Sequence, residues 1–211
     1  MKTDDLIKAI AADAGQPSLA VRMAWRLALA LGIVLAAAAF LAMIGPRPDF
    51  EAAAHTGRFL FKFVVTIALA VGSLAAIRAL SRPGAALKPA LWLLAAPALL
   101  LASVAFELAS APSGEWAGRM IGSNSLLCLT FVPLIGLGPL AVFLVALRYA
   151  APTRPVLAGA VAGLLAGGVA ATFYAAHCFD DSPLFVAVWY TLGVSILAVA
   201  GALLAPRVAR W

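Results

Sequence analysis

The chain has 211 residues, 64% of them hydrophobic and 11% charged, with 15 Lys and Arg against 9 Asp and Glu. No soluble domain of this length has enough polar surface to cover so many apolar side chains, so the composition excludes a water-soluble globule and indicates an integral membrane protein. The net charge of +6 is not a nucleic-acid signature, because the basic residues lie between apolar runs and form no continuous patch.

Residues 1–22 read as a cytoplasmic segment carrying a short amphipathic helix, and residues 23–211 as one transmembrane domain. Thr3 can cap that helix, and Asp4 and Asp5 suit the positive end of its dipole. Leu6, Ala9, Ile10 and Asp13 then recur at helical spacing until Gly15-Gln16-Pro17 breaks it. A helix lying on the inner leaflet would ordinarily be basic, so docking onto a partner and lying at the interface both stand as readings.

A membrane span needs about 20 mostly apolar residues. Six runs meet this, at 24–44, 59–79, 90–110, 125–147, 156–177 and 184–205, so an all-α bundle of six transmembrane helices is expected. The intervening segments, such as Gly45-Pro46-Arg47-Pro48 and Asp180-Asp181-Ser182-Pro183, carry loop chemistry. The first run is expected to be retained rather than cleaved as a signal, since a segment with three acids precedes it and it is longer than a usual signal core.

In the second span Arg58, Lys62, Thr66 and Ser73 make one polar stripe, which faces protein or water rather than lipid. Lys62 lies one turn inside the outer end, with Glu107 and Asp180 or Asp181 at comparable depth as counter-ions. The alternative is a lysine that snorkels outward. The fourth span opens on Asn124, with Cys128 one turn later, and holds Pro133 and Pro139. The fifth carries Gly159-x-x-x-Gly163-x-x-x-Gly167, a small-residue stripe for close helix approach. If the helix continues, Cys178 falls about 20° from Gly167 and belongs to that packed face. The five Trp, mostly near span ends, are expected to be interfacial anchors.

Lys and Arg near helix ends favour the cytoplasm. One side of the bundle holds Lys2, Lys8, Arg22, Arg26, Arg78, Arg82, Lys88, Arg148, Arg154, Arg207 and Arg210, and the other only Arg47, Arg58, Lys62 and Arg119. Both termini are therefore expected in the cytoplasm, and the corner His177-Cys178-Phe-Asp180-Asp181-Ser-Pro183 on the outer face.

Cys128, His177 and Cys178 are the soft ligands grouped at one depth. Three readings of them stand: a metal site completed by an acid such as Asp180 or by water, a disulfide tying the fourth helix to the fifth, and unreactive core thiols. No HExxH, GxSxG, phosphate-binding loop, CxxC or pair of intramembrane acids occurs, so catalysis is not expected and no resident cofactor is required. Reception and signalling become the default, with a small metal or solute transporter and a membrane thiol oxidoreductase as rivals.

The opening Met1-Lys-Thr-Asp-Asp-Leu-Ile-Lys-Ala-Ile-Ala-Ala-Asp13, Arg58 with Lys62, Asn124-Ser-Leu-Leu-Cys128, Pro133-Leu with Pro139-Leu, Ala146-Leu-Arg148, and Tyr174-Ala-Ala-His-Cys-Phe-Asp-Asp-Ser-Pro-Leu-Phe-Val-Ala-Val-Trp-Tyr190 resemble the negative regulator of sigma F (NrsF) family. The resemblance implies a six-span anti-sigma factor of the bacterial inner membrane. Such a protein would hold an extracytoplasmic-function sigma factor and release it under heavy-metal or oxidative stress. It further implies that Cys128 and Cys178 are the sensing thiols; His177 beside them, and Arg58, Lys62, Asn124, Asp180 and Asp181 as supporting polar groups, are expected from their position and depth in the sequence. Sigma-factor binding would fall on the N-terminal segment, at Thr3, Asp4, Asp5, Leu6, Ile7 and Ile10. A heavy-metal ion would be a transient ligand, and the other partner is the lipid bilayer, with no direct contact to nucleic acid.

Overall fold

The structure, a computed structural model, describes Thr3, Ile7 and residues 19–81, 88–150 and 152–208. Among these residues there is no strand, and six helices are long and apolar enough to cross a membrane. The spans run Val21–Met43, Gly57–Leu80, Lys88–Ser110, Ser125–Leu147, Pro155–Ala175 and Pro183–Val208, so the six expected runs each become one span with ends shifted by a few residues. Thr3 and Ile7 are helical and exposed, whereas Asp4, Asp5, Leu6 and Ile10, with the rest of the expected N-terminal helix, lie outside the described residues.

The fifth span is the hub. Ala158, Ala162, Leu165, Ala166, Ala170, Ala171 and Tyr174 are fully buried along it, and it packs against the sixth, second and fourth spans. Its glycine stripe works as the sequence predicts. A Cβ on Gly159 would meet the Gly201 backbone, and one on Gly163 would meet the backbone of Leu197 and Ala198, so the fifth and sixth helices approach backbone to backbone. The first span leans on the fourth, and the third lies at the periphery against the second. Leu27, Leu41, Leu101, Phe106, Leu126 and Leu203 are exposed on the outer surface of the bundle, where a bilayer covers them.

Two expectations change. Trp25 is not an anchor in the interface: it is 2% exposed, its Nε1 donates to Ser81 Oγ at 3.1 Å, and its ring lies against Phe143. The fifth helix ends at Ala175, so Cys178 stands in the turn beyond it. Helical phase thus does not apply to Cys178, although it is fully buried as that phase suggested.

Candidate functional site

One end of the bundle converges on the His-Cys corner. His177 N and Cys178 N both donate to Tyr174 O, closing the fifth helix. Ser182 then starts the sixth span, its Oγ accepting from Leu184 N, with Pro183 in the first turn. Between these two helix ends lie Cys178, Phe179, Asp180 and Asp181, whose two carboxylates take different partners.

Asp180 caps the fourth span. Its carboxylate accepts from Ser123 N, from Asn124 N at 2.7 Å and from Asn124 Nδ2 at 3.0 Å. A negative charge at the N-terminus of a helix whose own Asn124 side chain makes no capping bond is favourable. Gly122, at φ +61°, lets the chain enter that helix. A Cβ there would lie 2.7 Å from Asp180 Cγ and 2.5 Å from the Phe185 ring. The fourth span then continues unbroken through Pro133 and Pro139.

Asp181 takes the buried lysine. Lys62 is fully buried, its Nζ donating to Cys178 O at 2.7 Å and lying 2.5 Å from Asp181 Oδ1. The contact with Asp181 is an ion pair by distance whose angle closes no hydrogen bond to that oxygen. The outward-snorkelling alternative is therefore wrong, and of the expected counter-ions only Asp181 pairs with Lys62. Thr66 and Ser73, further down the stripe, are buried too, while Arg58 at its outer end is half exposed.

Arg47, which the sequence reading left unused, joins the same cluster. It is 8% exposed, forks onto both Asp49 oxygens at 2.7 Å, and reaches Cys178 O and Asp181 Oδ2 at 3.3 Å each. Its guanidinium also covers the Phe179 ring at 4.4 Å. The hydrogen bond from Arg47 holds the exposed Asp49 carboxyl below its ordinary value. The signal for this was present in the sequence as three arginines on the side that the charge bias leaves poor in cations, Arg47, Arg58 and Arg119. All three are ion-paired.

Glu107 is 2% exposed and is held by Arg58 at 2.8 Å and Arg119 at 2.5 Å, so it ties the second and third spans to the short helix Trp116–Ile121. Trp189 Nε1 donates to Met120 O and fastens that helix to the sixth span. This end of the bundle is thereby capped by ion pairs and hydrogen bonds from Arg47, Arg58, Arg119 and Trp189.

Under this cap lie Cys128 and Cys178, both fully buried and both free thiols. Tyr174 links their backbones: its Oη donates to Asn124 O, which also accepts from Cys128 N, and its own carbonyl accepts from Cys178 N, while its ring lies against Tyr190. Burial pushes the Cys178 thiol up, and the neighbouring Lys62 cation only partly offsets this. The shared depth read from sequence is thus a place for both in one buried core. His177 Nδ1 bonds to Gly45 O at 2.9 Å, which orients the ring. Among the described residues no three His, Cys, Asp or Glu side chains gather closely enough to hold a metal ion, so Cys128, His177 and Cys178 do not form the expected ligand set. Asp180, the expected fourth ligand, is committed to the fourth helix.

Comparison with known proteins finds relatives that align along the whole chain. The family model described as negative regulator of sigma F matches residues 10–211. A relative from Azospira oryzae, named probable anti-sigma-F factor NrsF, is 39% identical over 215 aligned residues, covering 100% of both chains. Another from Caulobacter vibrioides, named anti-sigma-F factor NrsF, is 37% identical over 217 residues, again covering 100% of both. No solved structure matches the chain. A match of this extent over the entire six-span bundle leaves one family assignment: the chain belongs to the negative regulator of sigma F family.

Proposed function

We propose that this protein is a membrane-bound anti-sigma factor that holds an extracytoplasmic-function sigma factor at the inner face of the bacterial inner membrane and releases it under heavy-metal or oxidative stress. The observation that carries the regulator reading is the end-to-end similarity to two proteins named as anti-sigma-F factors, which are regulators rather than enzymes. The excess of Lys and Arg on one side supports cytoplasmic termini. The N-terminal segment, through Thr3, Asp4, Asp5, Leu6, Ile7 and Ile10, supplies the first contact with sigma.

The input is read at Cys128 and Cys178. Two buried free thiols, with no three His, Cys, Asp or Glu side chains gathered to hold a metal ion among the described residues, favour thiol chemistry over a three-ligand metal site. Modification of either sulfur enlarges it in a space with no exposed surface, so the packing of the outer ends must change. The transporter reading relied on Lys62 and its stripe, and that lysine is fixed at the outer end by Asp181 and Cys178 O.

The test is sigma-dependent transcription under dichromate or cadmium in cells carrying Cys128→Ser or Cys178→Ser. Loss of induction in either variant supports the sensor. Wild-type induction in both places the sensor elsewhere.

A further inference from the structure

The cytoplasmic ends of the first two spans enclose a cleft of about 140 Å³ lined by Val21, Arg22, Trp25, Arg26 and Arg78. Resting on the anti-sigma reading above, we infer that this cleft is a seat for an acidic helix of the sigma factor, with the three guanidinium groups as its contacts. Arg22, Arg26 and Arg78 are exposed, and among the described residues none has an acidic or hydrogen-bonded partner. They differ in this from Arg47, Arg58 and Arg119 at the other end of the bundle, which are all paired.

The cleft is built rather than incidental. Trp25 forms its wall, locked by the bond from Nε1 to Ser81 Oγ, and Ser81 in turn donates to Ile77 O. That chain of bonds fixes the end of the first span against the end of the second. Arg22 and Arg26 are one helical turn apart, so they lie on one face at about 6 Å spacing. Carboxylates at the same i, i+4 interval on a partner helix match them, and Arg78 completes the cluster from the neighbouring span. Planar guanidinium forks suit carboxylates bidentately. A lipid phosphodiester carries one charge and answers one of the three cations, which is why the observations favour a protein surface over a headgroup.

The position also suits release. The second span carries Lys62 on the Cys178 corner at one end and Arg78 at the other, and the loop after the first span carries Arg47 on the same corner. A change at the corner therefore acts on both helices that bound the cleft.

The experiment uses the full-length protein in nanodiscs of phosphatidylcholine, with the purified sigma-F-type factor of the same organism as probe. The Arg22→Glu, Arg26→Glu, Arg78→Glu triple variant is expected to weaken binding at least about tenfold, and the Arg→Lys triple to stay within about threefold of wild type. Buried-thiol protection of Cys128 and Cys178 checks that each variant is folded. If charge reversal disturbs folding, Arg22→Gln with Arg26→Gln replaces it, with a loss of at least about threefold expected. Undiminished binding by folded charge-neutralised or reversed variants overturns the seat while leaving the anti-sigma reading intact. No binding by wild type overturns both. A loss confined to discs containing phosphatidylglycerol assigns the cleft to lipid and overturns the inference.

Discussion

The ammonium group of Lys62 lies 2.7 Å from the backbone oxygen of Cys178, wholly out of contact with solvent. One helix that crosses the bundle thereby holds the turn that carries one of the two buried thiols. Asp181, at 2.5 Å, supplies the opposite charge that a buried lysine needs.

Replacing Lys62 with Met leaves Asp181 and the Cys178 carbonyl with the longer contacts from Arg47 alone. We expect a loss of about 1–3 kcal/mol in stability, short of the full cost of an uncompensated buried charge because Arg47 remains. Adding Asp181→Leu is expected to restore part of it. Denaturant unfolding in detergent micelles, followed as a double-mutant cycle, measures both numbers.

Both thiols are expected to resist a maleimide in the folded protein and to react fully once it is unfolded. Raising the pH to about 9, where an ordinary thiol is half ionised, is expected to leave Cys178 slow, because burial pushes its ionisation upward. The check is alkylation rate against pH by mass spectrometry.

Glu107→Gln removes the charge that gathers Arg58 and Arg119. The short helix Trp116–Ile121 loses its tie to the second and third spans, and alkylation of Cys128 and Cys178 is expected to accelerate several-fold while the bundle stays folded. The same labelling assay reads this, and an unchanged rate would show that the cap does not guard the thiols.

Gly163→Leu forces a side chain into the backbone of Leu197 and Ala198. Separation of the fifth and sixth helices is expected to cost at least about 1–3 kcal/mol, the usual penalty of overpacking, and to abolish a sharp thermal transition if the helices cannot move apart. Gly57→Ala, where an added Cβ meets nothing, is the control.

The pairing of Asp49 with Arg47 makes a small pH dependence. The carboxyl titrates lower when folded than when unfolded, so its contribution is complete above its ordinary value of 3.8 and is lost as pH falls through the depressed folded value. Melting temperature measured down into that acid range is expected to fall less steeply in Asp49→Asn than in wild type.

The sequence by itself determined the six spans, because a bilayer demands about 20 apolar residues in a row and little else in the chain meets that rule. It also determined that a neighbouring helix approaches the fifth closely, since three glycines at intervals of four clear one face, and the burial of the polar stripe, since lipid rejects it; that the neighbour is the sixth helix came from the tertiary structure. Which acid answers which base was decided only by the tertiary structure. Lys62 had Glu107, Asp180 and Asp181 at one depth, and depth does not specify direction around a bundle. The turn after Ala175 brings Asp181 inward and leaves Asp180 to cap the fourth helix. Trp25 looked like an anchor because position along a helix does not reveal which neighbour covers a residue. Arg47 was passed over because its partners, Asp49 apart, lie more than 130 positions away in the chain, and no local pattern encodes such a meeting. The two thiols share both origins: similar depth was legible from spacing, but their complete burial exists because helices distant in sequence close over them.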